Sequence, residues 1–489
     1  MSALLEEATR IAAQFDYPPE QVQRAVKEYI REIDEGLSEE GATLSQIPTF
    51  VTSVPNGTEK GLYLAVDLGG TNFRVCSIDL HGNNTFSLTQ AKIMIPRELM
   101  TSGSSKELFL FLARQIESFL RIHHNEHFEA HLRRMVEAKE EDLFDLGFTF
   151  SFPVRQLGIN KGTLIRWTKG FDIPDAVGQD VCALLQDAID ELNLPVRVAA
   201  LVNDTVGTLM ARSYTSPGET GTFLGAIFGT GTNGAYVEKL DRVTKMGNIE
   251  HSDYDKSTGE MIINAEWGSF DNHLSVLPNT KYDQQLDTDS INPGIQMFEK
   301  RVSGMFLGEI LRLALLDLHE SLGLFKSSTS SNAFVPKSSQ IYRQWGIDTS
   351  LLSLVEADKT KNFEQIKSAL KDHLKIEHAS DDDAKSVQIV AHAIAKRAAR
   401  LGAVAISAIL ISTGKLQTDD VVDIGVDGSL VEYHPSFSSL LREALREVPE
   451  VGAAGDKKIR IGISKDGSGV GAALIALVAS KEGTQRPVS

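Results

Sequence analysis

At 489 residues, 42% of them hydrophobic and 24% charged, the sequence has an ordinary globular composition but is too long for one compact core, so two lobes are expected. Its 49 Lys and Arg against 66 Asp and Glu give a net charge of −17, which argues against nucleic acid or an anionic membrane surface as the main partner. An anionic substrate would have to be met by local donors rather than by the field of the whole molecule.

The opening segment MSALLEEATRIAAQF is acidic and amphipathic, unlike a signal or transit peptide. Leu4, Leu5, Ala8, Ile11, Ala12 and Phe15 share one helical face. Val22, Val26, Tyr29 and Ile33 share another, in a second helix that Gly36 is expected to end. Strands are predicted from Leu62 to about Ile95, then a helix near 106–121 and a strand over LFDLGFTFSFP. A glycine-rich connector, a helix near 176–192 and a strand over VRVAALV follow. A second strand pair starts at TFLGAIFGTGTNGAYVEKL (222–240) and repeats the shape of the first: apolar strand, Gly/Thr turn ending in Asn, alternating strand. Two related half-units are expected from that echo. KSSTSSNAFVPKSS (326–339) reads as an exposed loop, and ASDDDAKS (379–386) as a turn opening a helix. In AHAIAKRAARLGAVAISAIL (391–410) the charges of Lys396, Arg397 and Arg400 point to a long buried helix between lobes rather than a membrane span. The two cysteines, Cys76 and Cys182, form neither a disulfide framework nor a zinc cluster. They read as small core residues in a reducing, cytoplasmic compartment, in a protein with no membrane anchor.

Three glycine-rich stretches invite nucleotide readings. GTGTNG (229–234) matches the dinucleotide fingerprint, but AYVEKL after it alternates like a strand where that fingerprint needs a helix. GISKDGSGVGAALIALVAS runs strand, glycines, helix, yet too little chain follows for the second strand of a βαβ unit. STGKL lacks the flanking residues of a P-loop. What remains is glycine turns joining antiparallel strands, whose successive backbone N–H groups can cradle phosphate oxygens. Taken singly, each reads more readily as a connecting hairpin turn, because Gly-Thr-Asn turns are common connectors. Asp67 ends an apolar strand with no basic neighbour in sequence. A Mg²⁺–phosphate partner would compensate it, the alternative being an Asx turn capping Gly69.

Seven stretches, LAVDLGGTNFRV, FTFSFP, IRWTKGFDIP, VNDTVGT, FGTGTNG, INAEWGSF and NPGIQMFEKRVSGMFLGEILR, resemble in order the motifs of the hexokinase family. The likeness runs from the first helices to about residue 480, and NFRVCSIDLHGNNTFSL and GTLIRWTKGF look closest to the fungal glucokinase branch. Residues 320–390 match least, and nothing is carried over there. The resemblance implies an actin-like, Hsp70-like (ribonuclease H-like) α/β fold with two lobes around a central cleft. Sugar would lie deep between the lobes and Mg·ATP across the mouth. Residues 1–60 would be helices packing on the large lobe, 61–203 the small lobe and 204–480 the large lobe. The last helix, near 466–480, would return to the small lobe. The implied activity is ATP-dependent phosphorylation of glucose at its 6-hydroxyl, giving glucose 6-phosphate at the first step of glycolysis. The implied partners are glucose and ATP, with no nucleic acid and no membrane, for a monomer or weak dimer. Three rivals stand beside it: a broader hexokinase using fructose and mannose, a glucose sensor with weak catalysis, and an Hsp70-like ATPase without a sugar site.

Residue by residue, the resemblance makes Asp204 the base that receives the proton of the 6-hydroxyl; on its own it reads equally as a helix N-cap. Sugar hydroxyls would be met by Ser151, Thr168, Lys169, Asn203, Asp204, Asn233, Glu266 and Glu299, whose carboxylates accept and whose amides and ammonium donate. The plain alternatives are turn chemistry for Ser151 and Thr168, a solvated charge for Lys169 and an exposed strand end for Glu266. Glu299 falls on the apolar stripe Ile295, Phe298, Val302 and Phe306 of a helix expected after Asn292-Pro293, so it should pair or face a polar ligand. For ATP, the resemblance implies Asp67, Leu68, Gly69, Gly70, Thr71 and Asn72 in a first phosphate loop. Gly229, Thr230, Gly231 and Thr232 would form the second, with Gly428 and Ser429 on the adenosine side, in what otherwise reads as a bare hairpin. Mg²⁺ would be held mainly by phosphates and waters, with Asp67 in its outer shell, because Mg²⁺ dehydrates reluctantly.

Overall fold

Two sheets of the same topology organise the computed structural model, which describes residues 2–70, 72–134, 143–216, 221–248, 254–326, 335–418, 420–464 and 466–484. The first runs Phe86–Met94, Asn72–His81, Lys60–Leu68, Phe144–Phe150, Val196–Val202. Its first three strands are antiparallel and its last two join in parallel. The second runs Glu260–Asn264, Thr232–Lys239, Thr222–Phe228, Val422–Asp427, Ile459–Ile463, again antiparallel and then parallel, with the short strand Ile47–Pro48 added at its edge. The repeated strand–turn–strand pattern of the sequence is therefore a repeat of architecture. The parallel strands Phe144–Phe150 and Val196–Val202 are buried on both faces and read as near-continuous apolar runs, whereas the edge strand Phe86–Met94 alternates.

Each sheet has its own apolar cluster, and a third lies between them. That third cluster joins Ala65, Cys76 and Ala200 of the first sheet to Val206 and Met210 of the helix Asp204–Thr215 and to Leu474 and Leu477 of the helix Ala472–Thr484. These two helices meet backbone on backbone: a Cβ on Gly471 would stand 2.2 Å from the Gly207 Cα. Both cysteines are buried and free. Among the described residues, no helix is long and apolar enough to cross a membrane.

Three expectations are corrected. The apolar run at 391–410 belongs to a helix, Asp381–Ser412, that lies inside the cluster of the second sheet rather than between lobes. Its charges are absorbed locally, Arg397 by Asp283 at 2.7 and 2.8 Å and Arg400 by the Tyr17 carbonyl at 2.6 Å. Gly36 does not end its helix, which runs Pro19–Ser38; it is small because a Cβ there would stand 2.0 Å from the Leu44 carbonyl oxygen. The segment after Pro293 is not one helix. It winds into Glu299–Val302, turns extended at Ser303 and restarts as Gly304–Leu322, leaving Ile295 43% exposed instead of on a buried stripe. The Ser-rich loop at 326–339 lies outside the described residues over 327–334.

Candidate active site

Asp204 opens the helix Asp204–Thr215 directly after the buried strand Val196–Val202. Asn203 is its N-cap, accepting from the Thr205 amide at 2.9 Å, and the same amide donates to Asp204 Oδ1 at 2.8 Å. The capping alternative for this Asn-Asp pair is thus real, but it belongs to Asn203. Burial pushes the Asp204 carboxyl up to about 6, helped by the charges of Glu266 and Asp67 and opposed by the Thr205 amide and Lys169. An acid displaced toward neutrality at the start of a helix is poised to exchange a proton.

Asn233 connects the other polar groups. Its Nδ2 donates to Asn264 Oδ1 at 2.8 Å and Glu266 Oε1 at 3.2 Å, while its Oδ1 accepts from the Trp267 amide at 3.3 Å. Asn264, which the sequence did not single out, donates to Glu266 Oε1 at 2.8 Å. Glu266 sits in left-handed backbone, φ 50°, which places it at a turn rather than at an exposed strand end. Glu299 accepts from the Thr232 amide at 3.2 Å. Burial raises the pKa of both glutamates; for Glu299 the Thr232 amide pulls the other way, and Glu266 and Asp204 raise it further. Asp204, Glu266 and Glu299 therefore form one acidic cluster within electrostatic reach of each other. Acceptors converge here on a space with few donors of its own, the complement of a polyhydroxylated ligand.

Across from that cluster stand Ser151 and Lys169. Lys169 Nζ donates to the Ser151 carbonyl at 2.8 Å and the Gly69 carbonyl at 3.2 Å, tying the first glycine loop to this wall. Partial loss of water lowers the Lys169 pKa, against the pull of Asp204 and Asp67. Thr168 closes the adjoining turn, its carbonyl accepting from the Phe171 amide at 3.1 Å. In the first loop the Leu68 side chain is buried and only its backbone is on hand, its carbonyl taken by the Ser151 amide at 3.1 Å. Gly70 has φ 148°, a backbone that side chains rarely adopt. Asn72 opens the following strand, and Thr71 lies outside the described residues.

Asp67 is not without a cation. Strand register sets it opposite Arg74, whose Nη2 lies 3.3 Å from Asp67 Oδ2 and whose Nη1 lies 2.5 Å from Asp466 Oδ1. Sequence distance hid this pair because hairpin partners seven positions apart face each other across the turn. Asp67 Oδ1 and Asp466 Oδ2 remain buried with no hydrogen-bond partner.

The second loop is built into a helix terminus. The carbonyls of Gly229 and Thr230 accept from the amides of Gly304 and Met305 at 2.7 and 3.0 Å, which is why the chain breaks at Ser303. A Cβ on Gly231 would stand 3.1 Å from Glu299 Oε2, so this turn touches the acidic cluster. Thr230 is exposed, whereas Thr232 is buried and its hydroxyl accepts from Trp267 Nε1 at 3.0 Å, facing away from the loop. Gly428 and Ser429 do not form a hairpin: the strand Val422–Asp427 turns at Gly428, φ 108°, into the helix Ser429–Tyr433. A Cβ on Gly428 would stand 2.5 Å from the Phe228 carbonyl, so only glycine permits this strand end to approach the loop.

A cavity of about 830 Å³ opens beside Thr230, Gly304 and Ser429. Its wall includes Trp345, Leu354 and Tyr433, which are 41%, 42% and 66% exposed. Large apolar surfaces left open beside a glycine loop suit the flat ring of a base. Trp345 and Leu354 come from the stretch where nothing was carried over. Gly304 and Met305 lie inside NPGIQMFEKRVSGMFLGEILR, where nothing local marks them as loop partners.

Sequence models of the hexokinase family match residues 7–214 and 223–478. A curated glucokinase of Aspergillus niger is 80% identical over 490 residues, covering 99% of each chain. Glucokinase-1 of Saccharomyces cerevisiae is 43% identical over 500 residues, covering 98% of each. Among solved structures, a hexokinase from Schistosoma mansoni complexed with glucose aligns with a TM-score of 0.78 at 34% identity, covering 98% of this chain and 99% of that one. Likeness of that extent in sequence and in fold leaves one assignment, and this chain belongs to the hexokinase family.

Proposed function

We propose that the chain is a glucose kinase that transfers the γ-phosphoryl group of ATP to the 6-hydroxyl of glucose. The observation that carries this is the position of Asp204, with its raised pKa, between the carboxylate–amide cluster and the two glycine loops. Glu266, Glu299, Asn203 and Asn233 bind sugar hydroxyls from one side, and Ser151, Thr168 and Lys169 from the other. The 6-hydroxyl oxygen attacks the γ-phosphorus, its proton passes to Asp204, and the bond to the bridging oxygen breaks, releasing ADP. A loose phosphoryl-transfer transition state asks mainly for alignment and charge stabilisation, which the loop amides and Lys169 supply. The adenine occupies the cavity by Trp345 and Tyr433, with Gly428 and Ser429 along the ribose side.

Mg²⁺ fits the phosphate region because the buried oxygens of Asp67 and Asp466 are free to accept from its bound waters. It would neutralise charge on the β- and γ-phosphates. The same reading divides the chain near residue 203, the first sheet being the small lobe and the second the large lobe, with the helix Ala472–Thr484 packed back on the first. It sets the enzyme in the cytoplasm as a monomer or weak dimer.

The 80% identity to the Aspergillus niger glucokinase favours glucose over a broader hexose range, since relatives named hexokinase are 38% to 42% identical. One coupled assay of ADP release decides it. Rapid turnover with glucose, weaker turnover with mannose and fructose and little without sugar is expected. Equal rates on all three sugars would make the enzyme a general hexokinase, and sugar-independent release would make it an ATPase.

A further inference from the structure

The turn that presents Glu299 is made of three consecutive charged residues, and two of them are buried: Lys300 and Arg301 are each 1% exposed. Cations are withdrawn from water to that extent only where partners hold them. Lys300 Nζ donates to Asp287 Oδ1 at 2.6 Å and to the Asn292 carbonyl at 2.7 Å. Asp287 also accepts from the Gly294 amide, at 3.0 and 3.1 Å. One ion pair thereby spans the whole loop from Asp287 to Gly294 and pins it to the first turn of the helix. Arg301 fastens the opposite side, donating to the carbonyls of Pro278 and Met297 at 2.5 and 2.7 Å.

The loop's own holds are short-range ones at its start, where the Ser290 hydroxyl donates to the Asp287 carbonyl at 2.7 Å, and one at its exit, where the Met297 amide donates to Asn272 Oδ1 at 3.1 Å. Ile291 is fully exposed at 100%, Ile295 is 43% exposed, and Gly294 and Gln296 both take left-handed backbone, φ 79° and 58°. Glu299 is the residue immediately before Lys300, and its carboxylate must stay on the Thr232 amide at 3.2 Å despite the repulsion of Glu266 and Asp204. A carboxylate facing two others relaxes outward unless its backbone is fixed.

We propose that Lys300, clamped to Asp287, is the positioning residue for Glu299, setting the entry of the turn so that this carboxylate faces the sugar. The proposal rests on the sugar-binding reading of the cleft and deepens it. Lys300 touches no substrate; it acts through Glu299, whose carboxylate also accepts from the Thr232 amide of the second glycine loop, so its loss should weaken grip on the sugar more than grip on ATP.

The test uses the full chain and four variants: Lys300→Arg, Lys300→Met, Asp287→Asn and the double Lys300→Met/Asp287→Asn. The double variant removes both charges, so no buried charge is left unpaired. Glucose binding is titrated calorimetrically without nucleotide, and KM is measured for glucose and for ATP in turn. Glucose Kd and KM should rise about ten-fold or more in Lys300→Met and in the double variant, the scale of one misplaced charged hydrogen bond. The ATP KM at saturating glucose should rise by no more than about two-fold, well short of the change for glucose, the signature of lost binding concentrated on one substrate. Lys300→Arg should recover part of the affinity. A folded double variant with the parent's glucose Kd overturns the proposal. So does an ATP KM that rises in step with that of glucose, which marks general loosening. Should neither neutral Lys300 variant fold, Asp287→Asn keeps the acceptor, weakens the pair and reads the same split. A parent protein that binds no glucose at all overturns the sugar reading itself, and this proposal with it.

Discussion

Asp204 carries a tension that can be measured. Its folded pKa of about 6 stands above its ordinary 3.8, so the folded state holds this proton more tightly than the unfolded chain. Its stabilising contribution is therefore present below about pH 4 and is lost as pH rises through about 6. Above that, the buried charge is a penalty of at most about 3 kcal/mol. Asp204→Asn keeps the acceptor for the Thr205 amide but cannot take a proton. Turnover should fall about 10²–10⁴-fold. Yet Tm should exceed the parent's at pH 8, and the gap should narrow as pH falls through about 6 and close only near pH 4. An unchanged kcat would remove Asp204 from the chemistry, and a Tm gap independent of pH would mean that its carboxyl is not perturbed. In the parent, kcat/KM for glucose should fall about ten-fold per pH unit below about pH 6 as the base is protonated. The residues proposed for this site were reached through the resemblance to the family, because strand ends and glycine turns by themselves read as well as caps and connectors. The Asp67–Arg74 pair was not legible, since it exists only in the strand register, and Asn264 looked like one more residue of a buried strand.

At the scale of elements, glycine marks where backbone must meet backbone. The helices Asp204–Thr215 and Ala472–Thr484 approach at Gly207 and Gly471, and a single added methyl has nowhere to go. Gly471→Ala should destabilise the fold by about 1–3 kcal/mol or more, read as a lower denaturation midpoint. A parent-like midpoint would mean that the two helices separate freely. Gly428 does a different job, bringing the strand Val422–Asp427 against the second loop. Gly428→Ala should displace both and raise the ATP KM about ten-fold or more, since sub-ångström misplacement of a binding loop is felt strongly. Glucose affinity without nucleotide should hold. The alternating strands, glycine turns and helical stripes behind these elements follow from local periodicity and were readable. The break at Ser303 was not, because the carbonyls that cap the restarted helix come from Gly229 and Thr230, far back in sequence. The cavity wall at Trp345 and Leu354 was hidden for the opposite reason: exposed apolar residues carry no periodic signal, and only the fold shows that they line one space.

For the whole molecule, the arrangement of polar groups poses a problem of specificity. Water resembles the sugar 6-hydroxyl chemically and is far more abundant, so affinity for the acceptor cannot by itself protect ATP. Induced fit can, if sugar contacts from both lobes supply the energy that assembles the site. The structure has the parts for this. Ser151 and Lys169 belong to the side of the first sheet and are tied to its glycine loop, while Glu266 and Glu299 belong to the second. Between them the two sheets share the small apolar cluster around the helices that meet at Gly207 and Gly471. Arg74, bonded to Asp466 and Ser468, fastens the start of the last helix to the first sheet, so that helix should move with it. Glucose should accordingly compact the protein in solution scattering, and ATP hydrolysis without sugar should be slower than glucose phosphorylation by orders of magnitude. Xylose, which lacks the carbon bearing the reactive hydroxyl, should close the lobes in part and stimulate hydrolysis, because a water then occupies the empty position beside Asp204. A scattering profile unchanged at saturating glucose, together with sugar-independent hydrolysis, would defeat both closure and the kinase assignment, since contacts made from one lobe alone give the sugar no means of assembling the site.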